Sequence, residues 1–394
     1  MDLSDECFNS NYIDGAFVPV ASGATYETIS PSSVSLVFAP CSLCCVLRAP
    51  LLLRAPPFVV LRLVFRVESA LDGPCRPGVQ EQLVHRAPAS GAAEVEAAVA
   101  AARRAADDGF EEWGGLSATT RVQYLLALAT KLEEHAPYIA ELEATDMGKP
   151  IIDAHGDIAR CISEIEECVG LAEELDALQD KQVFESDDVL GTQRYEPIGV
   201  VACITPWNFP LLVTVMKLAP ALTAGNAVVL KPSEYSPLTT MFAAKLCDEV
   251  GFPRGVVNFI SGTGSAAGAP LSQSTDIDMV SFTGSVPTGS TIMGEAAKNI
   301  VKPLLELGGK SPSVVFEDVD MDETLPWVMS GFLSNTGQVC VAQTRLLVHE
   351  SRKEELVSRL KTELEQVSTP PLAHDCSRRV VLAHTDGAVL YSYS

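Results

Sequence analysis

Two side chains in the C-terminal part of the sequence could together support nucleophilic chemistry. Cys340 ends the segment Asn335-Thr336-Gly337-Gln338-Val339-Cys340 and could attack an electrophilic carbon as its thiolate. Glu306 lies between leucines, just before Gly308-Gly309, a setting that suits a general base for water. Each residue also has an ordinary interpretation, because buried cysteines are usually inert and a lone glutamate is usually solvated. The two lie far apart in the sequence, so their spacing does not link them.

A third candidate is Asn208, which lies in the segment Thr205-Pro206-Trp207-Asn208-Phe209-Pro210 after an apolar run. The two prolines restrict the backbone, so the amide NH2 of Asn208 could act as a rigid donor to a developing oxyanion. The alternative is an ordinary turn whose asparagine caps the following helix.

Two further loops could hold a dinucleotide. Lys231 and Glu234 could hydrogen-bond the two hydroxyls of a ribose, because a cation donates and a carboxylate accepts; a solvated surface pair is the alternative. In Phe282-Thr283-Gly284-Ser285-Val286-Pro287-Thr288-Gly289, Gly284 permits a tight turn, Gly289 permits close packing, and the helix amides offer a pyrophosphate site. The dinucleotide pattern GxGxxG is absent here, and other tight turns that cap a helix would look similar.

The middle of the chain alternates short apolar runs with helical stretches. This alternation is typical of a parallel sheet covered on both faces, so it predicts a nucleotide-binding α/β domain. Ligands of such sheets bind beyond the carboxyl ends of the strands, where the loops just named lie. The predicted strands are 199–204, 227–230, 256–260 and 279–283, and predicted helices follow at 211–224 and 237–250.

The preceding region predicts helices and a hairpin. From Ala92 to about residue 178, apolar residues recur every three or four positions, which predicts at least three long amphipathic helices. Residues 11–32 alternate around Asp14-Gly15, as in a hairpin of short strands. Polar residues 179–197 contain strand-like segments near VFES and TQRYEP.

Composition excludes several classes of partner. The formal charge is −23, from 28 Lys plus Arg and 51 Asp plus Glu, so no nucleic-acid partner is expected. The acidic start MDLSDE lacks the features of a secretory signal, which predicts a cytoplasmic protein, with an organelle left open. In the apolar region 33–86 the longest uncharged stretch, which ends at Leu47 and contains Pro40, is shorter than the roughly 20 residues of a membrane span, so none is expected.

Cysteine and histidine usage predicts reduced thiols and no metal. The 11 cysteines are odd in number and irregularly spaced, which argues against a disulfide framework. Cys41 and Cys44 form a single CxxC motif, and the sequence contains no second one. The 6 histidines do not have the spacing of a metal-binding motif.

Taken in order, the segments TPWNFP, LKPSE, FTGSxxxG, LELGGKSP and NTGQVC resemble signatures of the aldehyde dehydrogenase superfamily, over roughly residues 11–32 and 87–367. VKPLLELGGKSPSVVFEDVDMD and RLLVHES are most similar to its betaine aldehyde and aminoaldehyde branch. The resemblance implies an α/β fold, with a Rossmann-like parallel-sheet NAD-binding domain and an incomplete α/β catalytic domain.

The resemblance also implies roles in oxidising a small aldehyde. Cys340 would attack the aldehyde carbon, and the Asn208 side chain with the Cys340 backbone amide would hold the oxyanion. Glu306 would activate the water that releases the product as a free carboxylic acid.

NAD is the implied cofactor, in preference to NADP, because the Glu234 carboxylate would repel a 2′-phosphate. Lys231 and Glu234 would bind the adenosine ribose, Ser285 the pyrophosphate, and Trp207 and Phe282 would line the cleft. The cofactor-binding residues are predicted to be Ile204, Thr205, Pro206, Trp207, Lys231, Ser233, Glu234, Gly264, Gly268, Phe282, Thr283, Gly284, Ser285, Thr288, Gly289 and Leu307.

The chain departs from the family pattern in two places. Residues 33–86 resemble a foreign insert and are predicted to be poorly ordered, because their apolar side chains have no partner surface. After about Val367 the family continues, and the absent part includes the last strand of its homo-oligomer interface. A catalytically inactive NAD-binding or subunit-interaction remnant is therefore the alternative to an enzyme.

These boundaries divide the chain into six predicted parts. They are N-terminal strands 1–32, insert 33–86, NAD-binding domain 87–178 and 198–308, bridging strands 179–197, partial catalytic domain 309–367 and non-family tail 368–394.

Overall fold

A computed structural model describes residues 3–29, 58–62, 83–366, 383–385 and 388–390. They belong to two units. The first unit comprises Met1–Pro31 and Gln82–Leu307, and the second comprises Ser32–Glu81 and Gly308–Ser394.

The two units contain the following regular elements. The strands are β1 (Asn11–Ile13), β2 (Ala16–Val18), β3 (Thr25–Ile29), β4 (Phe58–Arg62), β5 (Leu83–Pro88), β6 (Lys181–Glu185), β7 (Leu190–Gln193), β8 (Val200–Ile204), β9 (Ala227–Lys231), β10 (Val257–Phe259), β11 (Met279–Gly284), β12 (Lys302–Leu307), β13 (Pro312–Val315), β14 (Arg345–His349), β15 (Ala383–Thr385) and β16 (Ala388–Leu390). The α-helices are α1 (Ala92–Asp107), α2 (Ala118–Glu134), α3 (Ala136–Met147), α4 (Ile151–Ala177), α5 (Pro210–Thr223), α6 (Leu238–Val250), α7 (Ala269–Gln273), α8 (Val286–Asn299), α9 (Met321–Leu333) and α10 (Lys353–Gln366).

A seven-stranded sheet forms the centre of the first unit, with strand order β12-β11-β8-β9-β10-β1-β2. The five strands β8 to β12 run parallel to one another. Every residue of β8 and β9 is buried, as expected for parallel strands covered on both faces. The predicted α/β fold with a parallel sheet is confirmed, and helices α5 and α6 begin and end within one residue of their predicted bounds.

One parallel strand of this sheet was missing from the sequence prediction. β12 pairs in parallel with β11 and forms the edge of the sheet. Its residues alternate between exposed and half-buried, and Pro303 lies within it. Because an edge strand tolerates proline and is only partly buried, KPLLEL lacks the continuous apolar character of β8 and β9.

The hairpin predicted around Asp14-Gly15 is confirmed and extends the sheet. Asp14 and Gly15 have φ angles of 54° and 73°, the left-handed conformation that a tight two-residue hairpin turn requires. β1 and β2 pair in antiparallel fashion, and β1 also pairs with β10.

The predicted helices before the sheet are confirmed as α1 to α4. Apolar faces of these helices belong to the buried core of the first unit, which includes Val95, Leu125 and Ile158. Trp113 is 1% exposed, and its indole N–H donates to the Asn226 backbone carbonyl at 3.1 Å. This bond ties the helical region to the turn that leads into β9.

The segment 179–197 forms β6 and β7, an antiparallel pair. The strand predicted near VFES is present, whereas β7 covers only the first two residues of TQRYEP. Val183, Phe184, Val189 and Leu190 are exposed by 55% or more of their surface.

Two runs of the predicted insert 33–86 pair with other strands. Residues 83–86 lie in β5, which pairs with β3. Residues 58–62 form β4, which pairs with β14. Backbone pairing thus supplies the partners that the sequence did not reveal. The prediction for 33–57 and 63–82 lies outside the described residues.

The second unit contains a three-stranded sheet of order β13-β14-β4. Side chains of α9 and α10 form its core with the strands, including Phe332, Leu346, Val348 and Leu360. In the predicted non-family tail 368–394, β15 and β16 form an antiparallel pair. The rest of that tail lies outside the described residues.

Among the described residues, no helix combines the length and the apolar character that crossing a membrane requires.

Candidate active site

The predicted polar loops lie at the carboxyl ends of the five parallel strands, on the same side of the first unit's sheet. From β8 the chain moves to β9 and β10 on one side, and β11 and β12 then lie on the other side of β8. The sheet therefore has a topological switch point between β8 and β11, where open α/β sheets bind their ligands. Asn208 lies in the loop after β8. Phe282 to Gly284 are the last residues of β11, and Ser285 comes directly after that strand.

The loop that carries Asn208 is tied to the neighbouring strand and loop. The Thr205 backbone N–H donates to the Lys231 carbonyl at 3.0 Å. The Ser236 hydroxyl donates to the Trp207 carbonyl at 2.7 Å. Asn208 is half-buried and Trp207 is exposed. Since Pro206 and Pro210 restrict the backbone on both sides, the Asn208 amide is presented from a braced loop.

Lys231 and Glu234, which are predicted to bind a ribose, lie close to each other. Lys231 is 2% exposed, and its Nζ lies 3.8 Å from a Glu234 carboxylate oxygen. The other Glu234 oxygen accepts from the Gly264 backbone N–H at 3.1 Å. Burial lowers the pKa of Lys231 to about 8, although the Glu234 carboxylate opposes this shift. The pair thus offers a donor and an acceptor held by neighbouring loops.

Two predicted serines use their hydroxyls within the chain. Ser233 Oγ accepts from the Tyr235 backbone N–H at 3.3 Å. Ser285 is the N-cap of α8: its Oγ accepts from the Thr288 N–H at 3.3 Å and lies 2.8 Å from Thr288 Oγ1. The positive end of the α8 dipole still suits a phosphate. The direct contact predicted for Ser285 must compete with its capping bond.

The glycines of this edge allow close packing. A Cβ on Gly284 would lie 2.4 Å from the Phe282 ring, and one on Gly289 would lie 2.5 Å from a methyl carbon of Leu307. Gly268 is buried against Lys231, whose Cε would lie 3.6 Å from a Cβ there. The predicted glycines therefore keep α8 and the turn before α7 close to the strand ends.

Glu306 is exposed on β12, directly opposite Thr283 of β11. A lysine that the sequence reasoning missed interacts with it electrostatically. Lys217 is 8% exposed and donates to Ser281 Oγ at 2.9 Å. Burial lowers the pKa of Lys217, and the charge of Glu306 partly opposes that shift. The sequence feature that could have indicated Lys217 is that it is the one charged residue in the apolar helix α5.

The polar atoms at this edge fit a dinucleotide. Thr205 Oγ1 is buried and has no hydrogen-bond partner within the described part of the chain. Such an atom is costly to leave unsatisfied, so a ligand hydroxyl, phosphate or water that bonds to it would stabilise the site. Lys231 and Glu234 add the donor and acceptor that a ribose needs.

Cys340 belongs to the second unit and differs from the other described cysteines. It is exposed, whereas Cys7, Cys161, Cys168, Cys203 and Cys247 are buried. Burial raises the pKa of each of these five thiols, to about 12 for Cys203. Since the thiolate is the nucleophilic form, Cys340 is the best candidate among the described cysteines.

The turn before Cys340 has an unusual backbone. Asn335, Thr336 and Gly337 have φ angles of 49°, 56° and 79°. This region is uncommon for residues other than glycine, particularly for a β-branched threonine. The Asn335 Nδ2 donates to the Gln338 carbonyl at 3.3 Å, and the Gly309 N–H donates to the Cys340 carbonyl at 3.2 Å. These bonds hold the loop 335–340 within the second unit.

The structure therefore brings most of the predicted site residues to one sheet edge. Asn208, Glu306 and the predicted cofactor-binding residues all belong to the first unit, whereas Cys340 belongs to the second. No group of three or more His, Cys, Asp or Glu side chains in the described regions could hold a metal ion.

Comparison with known proteins relates this arrangement to an enzyme family. The aldehyde dehydrogenase family model matches residues 74–377, which extends into both the predicted insert and the predicted tail. The chain is 44% identical to peroxisomal aminoaldehyde dehydrogenase 1 of Pisum sativum over 75% of the chain and 59% of that protein. It is 46% identical to chloroplastic betaine aldehyde dehydrogenase of Beta vulgaris over 71% of the chain and 56% of that protein.

Solved structures agree with this relationship. A point mutant of Staphylococcus aureus betaine aldehyde dehydrogenase, in complex with NAD+, superposes with a TM-score of 0.76 at 32% identity and covers 91% of this chain and 63% of that one. The chain spans between 56% and 59% of the length of these two plant relatives. The family match covers well over half of the sequence, and the chain belongs to the aldehyde dehydrogenase family.

Proposed function

We propose that this chain catalyses the NAD-dependent oxidation of an aldehyde to a carboxylic acid. The observation that carries the proposal is the switch point of the first unit's sheet. Asn208, the pair Lys231 and Glu234, and Glu306 of β12 all lie at or after the carboxyl ends of its parallel strands. Family membership and an exposed cysteine support it.

In the proposed reaction the Cys340 thiolate adds to the aldehyde carbon and forms a thiohemiacetal. The Asn208 amide and the Cys340 backbone N–H donate to the oxyanion. Bound NAD supplies the acceptor for the hydride that leaves this carbon, and a thioester on Cys340 remains. Glu306 takes a proton from a water molecule, which attacks the thioester carbonyl, and the acid departs as the thiol is regenerated.

Lys231, Glu234, Thr205 and the α8 N-terminus are the groups that would hold NAD. The ammonium of Lys231 would donate to one ribose hydroxyl, and Glu234 would accept from the other. NAD-bound neighbours among the solved structures support this choice of cofactor.

The proposed substrate class is an amino- or betaine-type aldehyde, because the relatives carry these names. Their names also place them in the peroxisome and the chloroplast, so the expected cytoplasmic location remains a prediction. The test is NADH formation by the purified chain with betaine aldehyde, an aminoaldehyde and propanal, from neutral to alkaline pH. NAD binding without turnover of any of these aldehydes would overturn the proposed oxidation and leave dinucleotide binding alone.

Replacing Glu234 with serine should reduce the preference for NAD over NADP. The carboxylate would repel a 2′-phosphate, and a pair of like charges near a protein surface interacts by up to about 4 kcal/mol before screening. We expect the ratio of the NADP to the NAD dissociation constant to fall by about tenfold or more, measured by calorimetry. Glu133→Ser, which removes an exposed carboxylate on α2, should leave the ratio unchanged; an equal fall there would contradict the assignment.

NAD affinity should depend on the protonation of Lys231. The pKa of this lysine is lowered to about 8 by burial, so the ammonium predominates below pH 8 and is lost above it. We expect the NAD dissociation constant to rise as pH increases through about 8, because the neutral amine is a weaker donor. Titrations across this range should show the rise in the unmodified chain and a flat, weaker affinity in Lys231→Met. A flat profile in the unmodified chain argues against the role of Lys231.

A further inference from the structure

A buried ammonium lies next to the loop that carries Asn208. Lys149 is 0% exposed and lies between α3 and α4. Its Nζ lies 3.1 Å from a Glu143 carboxylate oxygen and also pairs with Asp157. An unpaired buried charge is strongly destabilising, so the two carboxylates confine the ammonium to one position.

The same ammonium faces an aromatic ring in the loop. Lys149 Nζ lies 4.7 Å from the centroid of the Phe209 ring, within the range of a cation–π interaction. Phe209 directly follows Asn208 and is the N-cap residue of α5. The position of the Phe209 ring is therefore coupled to the position of the backbone at Asn208.

The support for Lys149 extends to a third helix. The second Glu143 oxygen accepts from Thr239 Oγ1 of α6 at 2.5 Å. Burial by itself would lower the pKa of Lys149, but the Glu143 and Asp157 carboxylates raise it above its usual value. The lysine is therefore charged at neutral pH, and its position is set by α3, α4 and α6.

We propose that Lys149 is a positioning residue for Asn208, acting through the Phe209 ring on the loop 205–210. The inference rests on the proposed function, in which the Asn208 amide donates to the oxyanion. The loop is already tied on one side by the bond from Ser236 to the Trp207 carbonyl. Lys149 supplies the restraint on the other side, where α5 begins.

Trp207 provides a readout that does not depend on catalysis. The chain has 3 tryptophans: Trp113 is 1% exposed, Trp207 is 39% exposed and Trp327 is 78% exposed. In a Trp327→Phe background, acrylamide quenching separates the loop residue Trp207 from the core residue Trp113. Lys149→Met should increase the quenching of Trp207 and leave that of Trp113 unchanged.

Lys245→Met is the matched control. It removes an ammonium that pairs with Asp5 and lies 6.0 Å from the centroid of the Phe242 ring, outside the Lys149 cluster, so the proposal expects no change at Trp207. An equal rise in Trp207 quenching in both variants would show that Lys149 acts only on general stability. Unchanged Trp207 quenching in a folded Lys149→Met variant would overturn the proposal. If Lys149→Met does not fold, Phe209→Leu decides, because it removes the ring and leaves both ion pairs in place. Quenching of Trp207 must then rise in Phe209→Leu, and no rise rejects the proposal.

Kinetics provide the second readout. A misplaced oxyanion donor should lower kcat by about tenfold in Lys149→Met, with little change in the NAD dissociation constant. An unchanged kcat in that variant would overturn the positioning role. If no variant and not even the unmodified chain oxidises aldehydes, the proposed function fails, while the quenching experiment still decides whether Lys149 fixes the loop.

Discussion

Replacing Cys340 with serine is expected to lower the rate of aldehyde oxidation by about 10⁴-fold or more, the size of effect seen when a catalytic nucleophile is removed. A serine hydroxyl has a far higher pKa than a thiol, and no base within the second unit is assigned to activate it. The measurement is initial NADH formation at saturating NAD and aldehyde. The NAD dissociation constant should not change, because the predicted cofactor residues belong to the first unit.

Cys168→Ala is the control for this substitution. Cys168 is a buried thiol on α4 whose pKa is raised by burial, so its loss should cost some stability and leave the rate per folded molecule intact. If Cys340→Ser retained the rate of the unmodified chain, or if Cys168→Ala lost it, Cys340 would not be the nucleophile.

Much of the first unit could be predicted from the sequence because buried parallel strands have a simple pattern. β8 and β9 are continuous apolar runs, and both are buried throughout. β12 could not be recognised in the same way, since an edge strand with exposed positions and a proline lacks that pattern. β4 was missed because its partner, β14, lies far along the chain and pairing between distant strands leaves no local signal.

The candidate site shows the same division. Asn208, Lys231 and Glu234 could be found because each lies at or shortly after the end of a recognisable strand. Lys217 and Lys149 could not be assigned roles, because their contacts depend on how separate elements pack. The Lys217 partner Ser281 is on β11, and the Lys149 contact with Phe209 joins the α3–α4 loop to α5. Such contacts are properties of the tertiary fold.

Replacing Glu306 with glutamine should separate the two halves of the reaction. Hydride transfer needs the thiolate and NAD but no base for water, so the first turnover should still produce NADH. Hydrolysis of the thioester needs the carboxylate, and its loss should slow steady turnover by about 10²- to 10⁴-fold. Rapid mixing should therefore show a burst of NADH close to one equivalent per active chain, followed by a very slow phase.

A direct check is mass spectrometry of the acid-quenched protein, which should carry the acyl group on Cys340 in the Glu306→Gln variant and not in the unmodified chain. Glu295→Gln is the control, because it makes the same chemical change on α8, where the carboxylate pairs with Lys298. That variant should keep steady turnover and accumulate no acyl enzyme. Normal steady turnover by Glu306→Gln would remove Glu306 as the base. Slow turnover without a burst would instead place the defect before hydride transfer, since a stalled thioester requires that NADH has already formed.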